Sequence, residues 1–188
     1  MTKPSKTVGM TDVSELKIEG MLKEQKVLVS SQEGIKGLTE RGYGIPENNR
    51  LALSPYEALY LLSKDLLEVK AEKAKKSLKF EELLRHFQTF DTDVWVKYLI
   101  YRDLRGRGYV VREGFGLGID FRIYERGEYG KDTAAYIVYG ILEGKPVKIE
   151  QLIRILKHVQ NLKKKLTLAA INRRGEVVYY SLSELSFK

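Results

Sequence analysis

The sequence predicts an α+β protein: a small N-terminal α+β domain followed by a C-terminal α/β domain with a mixed central sheet. Three observations predict it. The second half reads helix, three strands, helix, two strands, an order that packs helices on a sheet. The first half mixes short strands and helices with glycine- and proline-rich breaks. Of the 188 residues, 43% are hydrophobic and 31% charged, enough to fold around a real core. No repeat of solenoid type is visible. The expected division is a flexible arm at 1–13, an N-terminal domain at 14–88 and a C-terminal domain at 89–188, joined near residues 87–93.

In the first half, Leu16 to Leu22 and Lys26 to Val29 read as short strands, and Glu33 to Arg41 as a short helix ended by Gly42. Residues 41–49, rich in breakers, read as a loop. Ser54-Pro55 starts the next helix: serine caps free backbone N–H groups, and proline loses nothing at the first helical position. Leu59, Leu62 and Leu66 follow at helical spacing. Val69 to Lys76 reads as a charged, solvated connector. Phe80 to Phe87 reads as a helix with Leu83, Leu84 and Phe87 inward.

In the second half, Thr92 to Arg107 predicts a helix with a wide apolar face, and Gly108 can take the left-handed conformation that ends it. Tyr109 to Arg112, Asp120 to Tyr124 and Ala135 to Glu143 read as strands. Ile149 to Leu162 reads as an amphipathic helix with Leu152, Ile155, Leu156 and Val159 inward. Leu166 to Ile171 and Glu176 to Leu182 form a hairpin about Arg173-Arg174-Gly175.

Composition excludes several chemistries. There are no cysteines, so disulfides, thiolate metal sites and cysteine nucleophiles are ruled out. His86 and His158 are the only histidines; both read as surface or partly packed groups, and neither a metal nor a cofactor is expected. The N-terminal residues are polar, and no stretch approaches the roughly 18 apolar residues of a membrane span. The expectation is a cytoplasmic protein with no membrane partner. The net charge of +8 suits a polyanionic partner.

Gly114, Gly116 and Gly118 give a GxGxG pattern between two strands. A phosphate-cradling loop would open a helix, and none follows. The run Lys163-Lys164-Lys165 lies where a helix hands over to a strand. It can complement the helix dipole, present ammonium groups to a phosphate, or do both.

Four ordered segments then point to one family. Leu51–Leu62 reads LALSPYEALYLL, Tyr101–Val111 reads YRDLRGRGYVV, Gly118–Tyr124 reads GIDFRIY, and Lys163–Ala169 reads KKKLTLA. Together they resemble archaeal-type tRNA-splicing endonucleases (tRNA-intron endonucleases) over most of residues 15–185. The resemblance implies a nuclease-like C-terminal domain and cleavage of introns from precursor tRNA at bulge–helix–bulge junctions. No metal does that chemistry. The ribose 2′-hydroxyl attacks the adjacent phosphate, leaving a 2′,3′-cyclic phosphate and a 5′-hydroxyl. A tyrosine serves as base, a histidine as acid, and a lysine steadies charge on the phosphorus.

Carried over residue by residue, the family tyrosine falls on Tyr124 and the lysine on Lys164. The histidine position, three residues before the tyrosine of an HAxY pattern, holds Thr133, whose hydroxyl is too weak an acid to protonate a leaving group near neutral pH. Of two base-gripping arginines in the family, one position holds Lys157 and the other falls near Val178 or Tyr179. Lysine does not stack as a planar guanidinium does. Lys163 and Lys165 flank Lys164 as candidate RNA-binding cations.

The resemblance therefore implies a structural subunit of a two-plus-two heterotetramer with a catalytic, histidine-bearing paralogue. Residues 177–182 would be the edge strand that pairs with a partner. The turn before it, Asn172 to Glu176, has a single acidic residue where the family uses an acidic loop. Two alternatives stay open: an active metal-independent endonuclease that uses Tyr124 and Lys164 with a substitute acid, and an RNA-binding module without cleavage.

Overall fold

Why the chain makes two sheets is visible in its turns. The computed structural model describes residues 17–71, 76–116, 118–125, 127–131 and 133–185. The expected arm at 1–13 lies outside them. β1 (Ile18–Lys23) and β2 (Lys26–Val29) form an antiparallel hairpin whose tight turn places Glu24 at φ 50°. α1 (Gln32–Glu40) follows, with Leu38 buried.

The breaker-rich stretch after α1 is not all loop. β3 (Ile45–Glu47) and β4 (Arg50–Leu53) pair antiparallel across Asn48 and Asn49, both left-handed at φ 46° and 61°. Two successive left-handed residues make the turn type whose twist matches paired strands. α2 (Pro55–Ser63) begins as expected. The Glu57 carboxylate accepts the Ser54 backbone N–H at 3.0 Å and its hydroxyl at 2.9 Å. The supposed connector is likewise corrected: β5 (Leu67–Ala71) is a strand, parallel to β1, with Leu67 and Val69 buried and Glu68 and Lys70 on its outer face. Residues 72–75 of that connector lie outside the described part. α3 (Phe80–Gln88) buries Leu83 and Phe87 one turn apart. The first sheet runs β3-β4-β2-β1-β5.

The second half follows the predicted order: α4 (Val94–Gly106), β6 (Val110–Glu113), β7 (Phe121–Tyr124), β8 (Tyr136–Leu142), α5 (Ile149–Asn161), β9 (Lys165–Ile171) and β10 (Val177–Leu182). Its sheet runs β10-β9-β8-β7-β6, antiparallel except for the β8–β9 pair that α5 connects. Helices α4 and α5 cover opposite faces. Ile119, Ile137, Ile155, Val159 and Leu166 form the core beneath α5. The larger core joins both halves: Leu59, Leu83 and Phe87 share one cluster with Tyr101, Phe121 and Ile171. Tyr56 sits 5.0 Å from both the Tyr101 and Phe121 rings, so α2 is packed directly on the second sheet.

Candidate active site

Strand direction gathers Tyr124, Thr133 and Lys164 at one end of the second sheet. β7 runs antiparallel to β8, so it ends where β8 begins; β9 is parallel to β8 and begins there too. The register places Tyr136 opposite Ile123 on one side and Lys165 on the other. Tyr124 is the last residue of β7, Thr133 lies just before β8, and Lys164 immediately precedes β9.

Lys164 is aimed by the end of α5. Lys163 takes the left-handed conformation at φ 55°. Its N–H donates to the Gln160 carbonyl at 2.8 Å, and the Lys164 N–H donates to the Val159 carbonyl at 3.1 Å. This paired closure satisfies two terminal carbonyls and turns the chain sharply out of the helix. Glycine usually fills that left-handed position, so a lysine there holds backbone strain of about 1–3 kcal/mol. The result is that Lys164 Nζ donates a hydrogen bond to Thr133 Oγ1. Lys163 and Lys165 remain exposed, with the Lys165 ammonium 5.8 Å from the Tyr136 ring centroid.

Tyr124 is half-buried, and the Tyr129 ring meets it edge-on at 5.2 Å and 84°. Tyr129 belongs to the β7–β8 loop and lies beside Gly42 of the first half, with the Arg112 guanidinium 5.9 Å from its ring centroid. Sequence reading missed Tyr129, because its partners are 5, 17 and 87 positions away.

Lys157 is exposed on α5. Val178 is 47% exposed on β10, whereas Tyr179 is turned inward and its hydroxyl donates to Asp103 Oδ2 at 2.8 Å. Burial pushes the Tyr179 phenol up, and the hydrogen bond to the Asp103 carboxylate adds to the shift. His86 sits in the first half, its Nε2 2.6 Å from the Glu24 carbonyl, where it ties α3 to the β1–β2 turn. His158 lies on α5, edge-on to Phe115 at 6.2 Å. Among the described residues no group of histidines and carboxylates is spaced to hold a metal, and no helix is long and apolar enough to cross a membrane.

Chemically, the cluster offers a phenol, an ammonium and an alcohol at the mouth of three strands, ringed by lysines. An ammonium and a hydroxyl already joined by a hydrogen bond can turn together toward a phosphate oxygen. The threonine alcohol is no stronger an acid than a leaving alcohol, so it is no substitute for an imidazolium as proton donor.

The N-terminal half matches the family model for the tRNA intron endonuclease N-terminal domain over residues 18–84, and the second half matches its catalytic C-terminal domain over residues 94–179. Among curated relatives, the tRNA-splicing endonuclease of Methanococcus maripaludis is 36% identical and that of Methanococcus vannielii 35% identical. Each aligns over 185 residues, 98% of both chains. The Pyrococcus furiosus tRNA-splicing endonuclease is 32% identical over 90% of this chain and 98% of its own.

Proposed function

The chain belongs to the tRNA intron endonuclease family, and we propose that within it the chain is the structural subunit of an enzyme that removes introns from precursor tRNA at bulge–helix–bulge junctions. The contact between Lys164 and Thr133 carries this reading. Thr133 stands beside the lysine at the position where the family pattern calls for a histidine, and that contact supports the reading.

In the reaction the 2′-oxygen attacks phosphorus, the bond from phosphorus to the 5′-oxygen breaks, and the departing oxygen needs a proton. As a phenolate, Tyr124 can accept the 2′-hydroxyl proton and become a phenol, and Lys164 can neutralise charge on the phosphoryl oxygens. Thr133 supplies no proton near neutral pH, so the set lacks the histidine that the family pattern uses to protonate the leaving group. A histidine-bearing paralogue supplies the complete set, and this chain contributes RNA contacts and assembly.

The surface for that assembly is β10, which among the described residues pairs with β9 alone and shows Val178 and Tyr180 at 47% and 55% exposure. An unpaired strand edge with exposed apolar groups is suited to pairing with another strand. A two-plus-two heterotetramer built through it is the arrangement we favour.

The test is a cleavage assay on a bulge–helix–bulge precursor tRNA in EDTA. This chain alone should leave the RNA intact, and adding the histidine-bearing paralogue should give accurate cuts with 2′,3′-cyclic phosphate ends. Accurate cutting by the chain alone would replace this reading with that of an active enzyme using a substitute acid.

A further inference from the structure

The glycine-rich turn between β6 and β7 is built to hold one side chain in place. A Cβ on Gly114 would meet the Ile119 carbonyl oxygen at 2.2 Å, so the backbone passes itself at a distance only glycine allows. The Gly114 N–H donates to the Asp120 carbonyl at 2.9 Å, and the Ile119 N–H donates to the Gly116 carbonyl at 3.0 Å. The residue this turn presents is Phe115, 39% exposed.

Two groups fix the Phe115 ring. The Arg122 guanidinium lies 5.3 Å from its centroid, itself anchored by an Nε–H that donates to the Glu113 carbonyl at 2.9 Å. The His158 imidazole meets the ring edge-on at 6.2 Å. Arg122 and Tyr124 are two apart on β7 and therefore face the same side of the sheet, the side α5 covers, about 6–7 Å apart along the strand. Arg154, exposed one helical turn before His158, adds a further cation.

We propose that Phe115 and Arg122 form a stacking platform for one unpaired base of the RNA substrate, on the sheet face that carries Tyr124. This rests on the reading of the chain as an RNA-processing subunit. An aromatic face accepts any base, a guanidinium both stacks and meets phosphate, and the bordering cations favour a polyanion over an apolar partner. A base inside a duplex cannot reach the ring, so the platform selects RNA with unpaired nucleotides. It grips the base in a chain whose family arginine positions hold Lys157 and either Val178 or Tyr179.

The full-length chain is titrated, at one fixed salt concentration, against a fluorescent RNA hairpin carrying a bulge and against the same hairpin fully paired. 2-Aminopurine in the bulge reports stacking. Phe115→Ala is expected to weaken bulged-RNA binding about tenfold and to relieve the 2-aminopurine quenching, with less than about a twofold change for the paired hairpin. Phe115→Trp should retain both affinity and quenching. Phe115→Leu, which keeps apolar bulk in the turn but has no ring face, should behave like alanine and guards against a folding defect. Unchanged binding of bulged RNA by the alanine and leucine variants would overturn the platform and leave the subunit reading standing. Equal weakening on both RNAs would also overturn it. Failure of the unmodified chain to bind either RNA would bring down the RNA-processing reading and the platform together.

Discussion

Glu57 is the one buried charged side chain among the described residues, at 5% exposure, and removing it should show how the two halves are held together. Its Oε1 accepts the Gly44 N–H at 3.1 Å and lies 3.7 Å from the Arg112 guanidinium of β6; its Oε2 accepts both Ser54 donors. Burial pushes the carboxyl up, while the Ser54 and Gly44 N–H groups and Arg112 pull it back. Glu57→Ala leaves the Gly44 N–H without its acceptor, at about 1–3 kcal/mol. It also strips Arg112 of its counter-charge, and breaking a buried pair costs about 3–5 kcal/mol. Both costs fall on one side chain and overlap, so the expected loss is about 3–5 kcal/mol, or about 6–20 °C in melting temperature for a chain of this size. Denaturant unfolding followed by circular dichroism measures it, with Glu47→Ala as the control. That residue pairs with Lys26 at the surface, side chains 38% and 43% exposed, and its removal should cost less than about 1 kcal/mol. Equal, small losses from both variants would refute the view that Glu57 organises this junction.

Three further outcomes follow from local geometry. Gly44→Ala should destabilise by about 1–3 kcal/mol in the same unfolding assay, because Gly44 holds φ 66° and a Cβ would meet Leu51 Cγ at 2.5 Å. For Asp91, burial acts to raise the carboxyl, but the Lys97 ammonium at 2.7 Å and the Asp93 N–H outweigh it and hold the group below the usual carboxylate value. The unfolded chain therefore binds the proton first as pH falls. The stabilisation is full above an unfolded value of about 3.9 and is lost as pH drops through the lower folded value. Asp91→Asn should flatten the stability–pH slope below about pH 4 and leave the slope above about pH 5 unchanged, read from urea midpoints across pH. Charging the free edge of β10 with Val178→Lys and Tyr180→Lys should lower the assembled mass seen by light scattering, while Tyr179, bonded to Asp103, keeps the strand attached to α4.

Much of the fold was legible because local signals agreed with the packing. Ser54-Pro55 marked the start of α2 to the residue, and the spacing of Ile155 and Val159 gave the inward face of α5. β3 was missed because its stretch is dense in glycine and proline, and the signal lay instead in two adjacent asparagines able to adopt left-handed backbone. β5 was hidden by its own outer face. Leu67 and Val69 alternate with Glu68 and Lys70, and Lys70 pairs with Glu19 of β1 at 2.8 Å, which reads as solvated charge when the neighbouring strand is unknown. Glu57 was invisible for a similar reason, since a glutamate in the first turn of a helix is ordinarily a surface cap. At the site, Tyr124, Thr133 and Lys164 come from three separate stretches, and no spacing rule links them. The resemblance named them, and the strand directions explain how they meet. The Phe115–Arg122–His158 contact spans a turn, a strand and a helix, so only the folded chain reveals it.

The central claim is that Thr133 stands where the acid belongs in a site whose base and cation are retained, and Thr133→His tests it most directly. Purified full-length protein with and without the substitution is incubated in excess over a bulge–helix–bulge precursor tRNA in EDTA, and cleavage is followed across pH. The account predicts no cutting by the unmodified chain and metal-independent cutting by Thr133→His. That activity should fall as pH rises through the imidazole range and disappear in Thr133→His with Lys164→Ala. Cutting by the unmodified chain at a rate comparable to Thr133→His would contradict it.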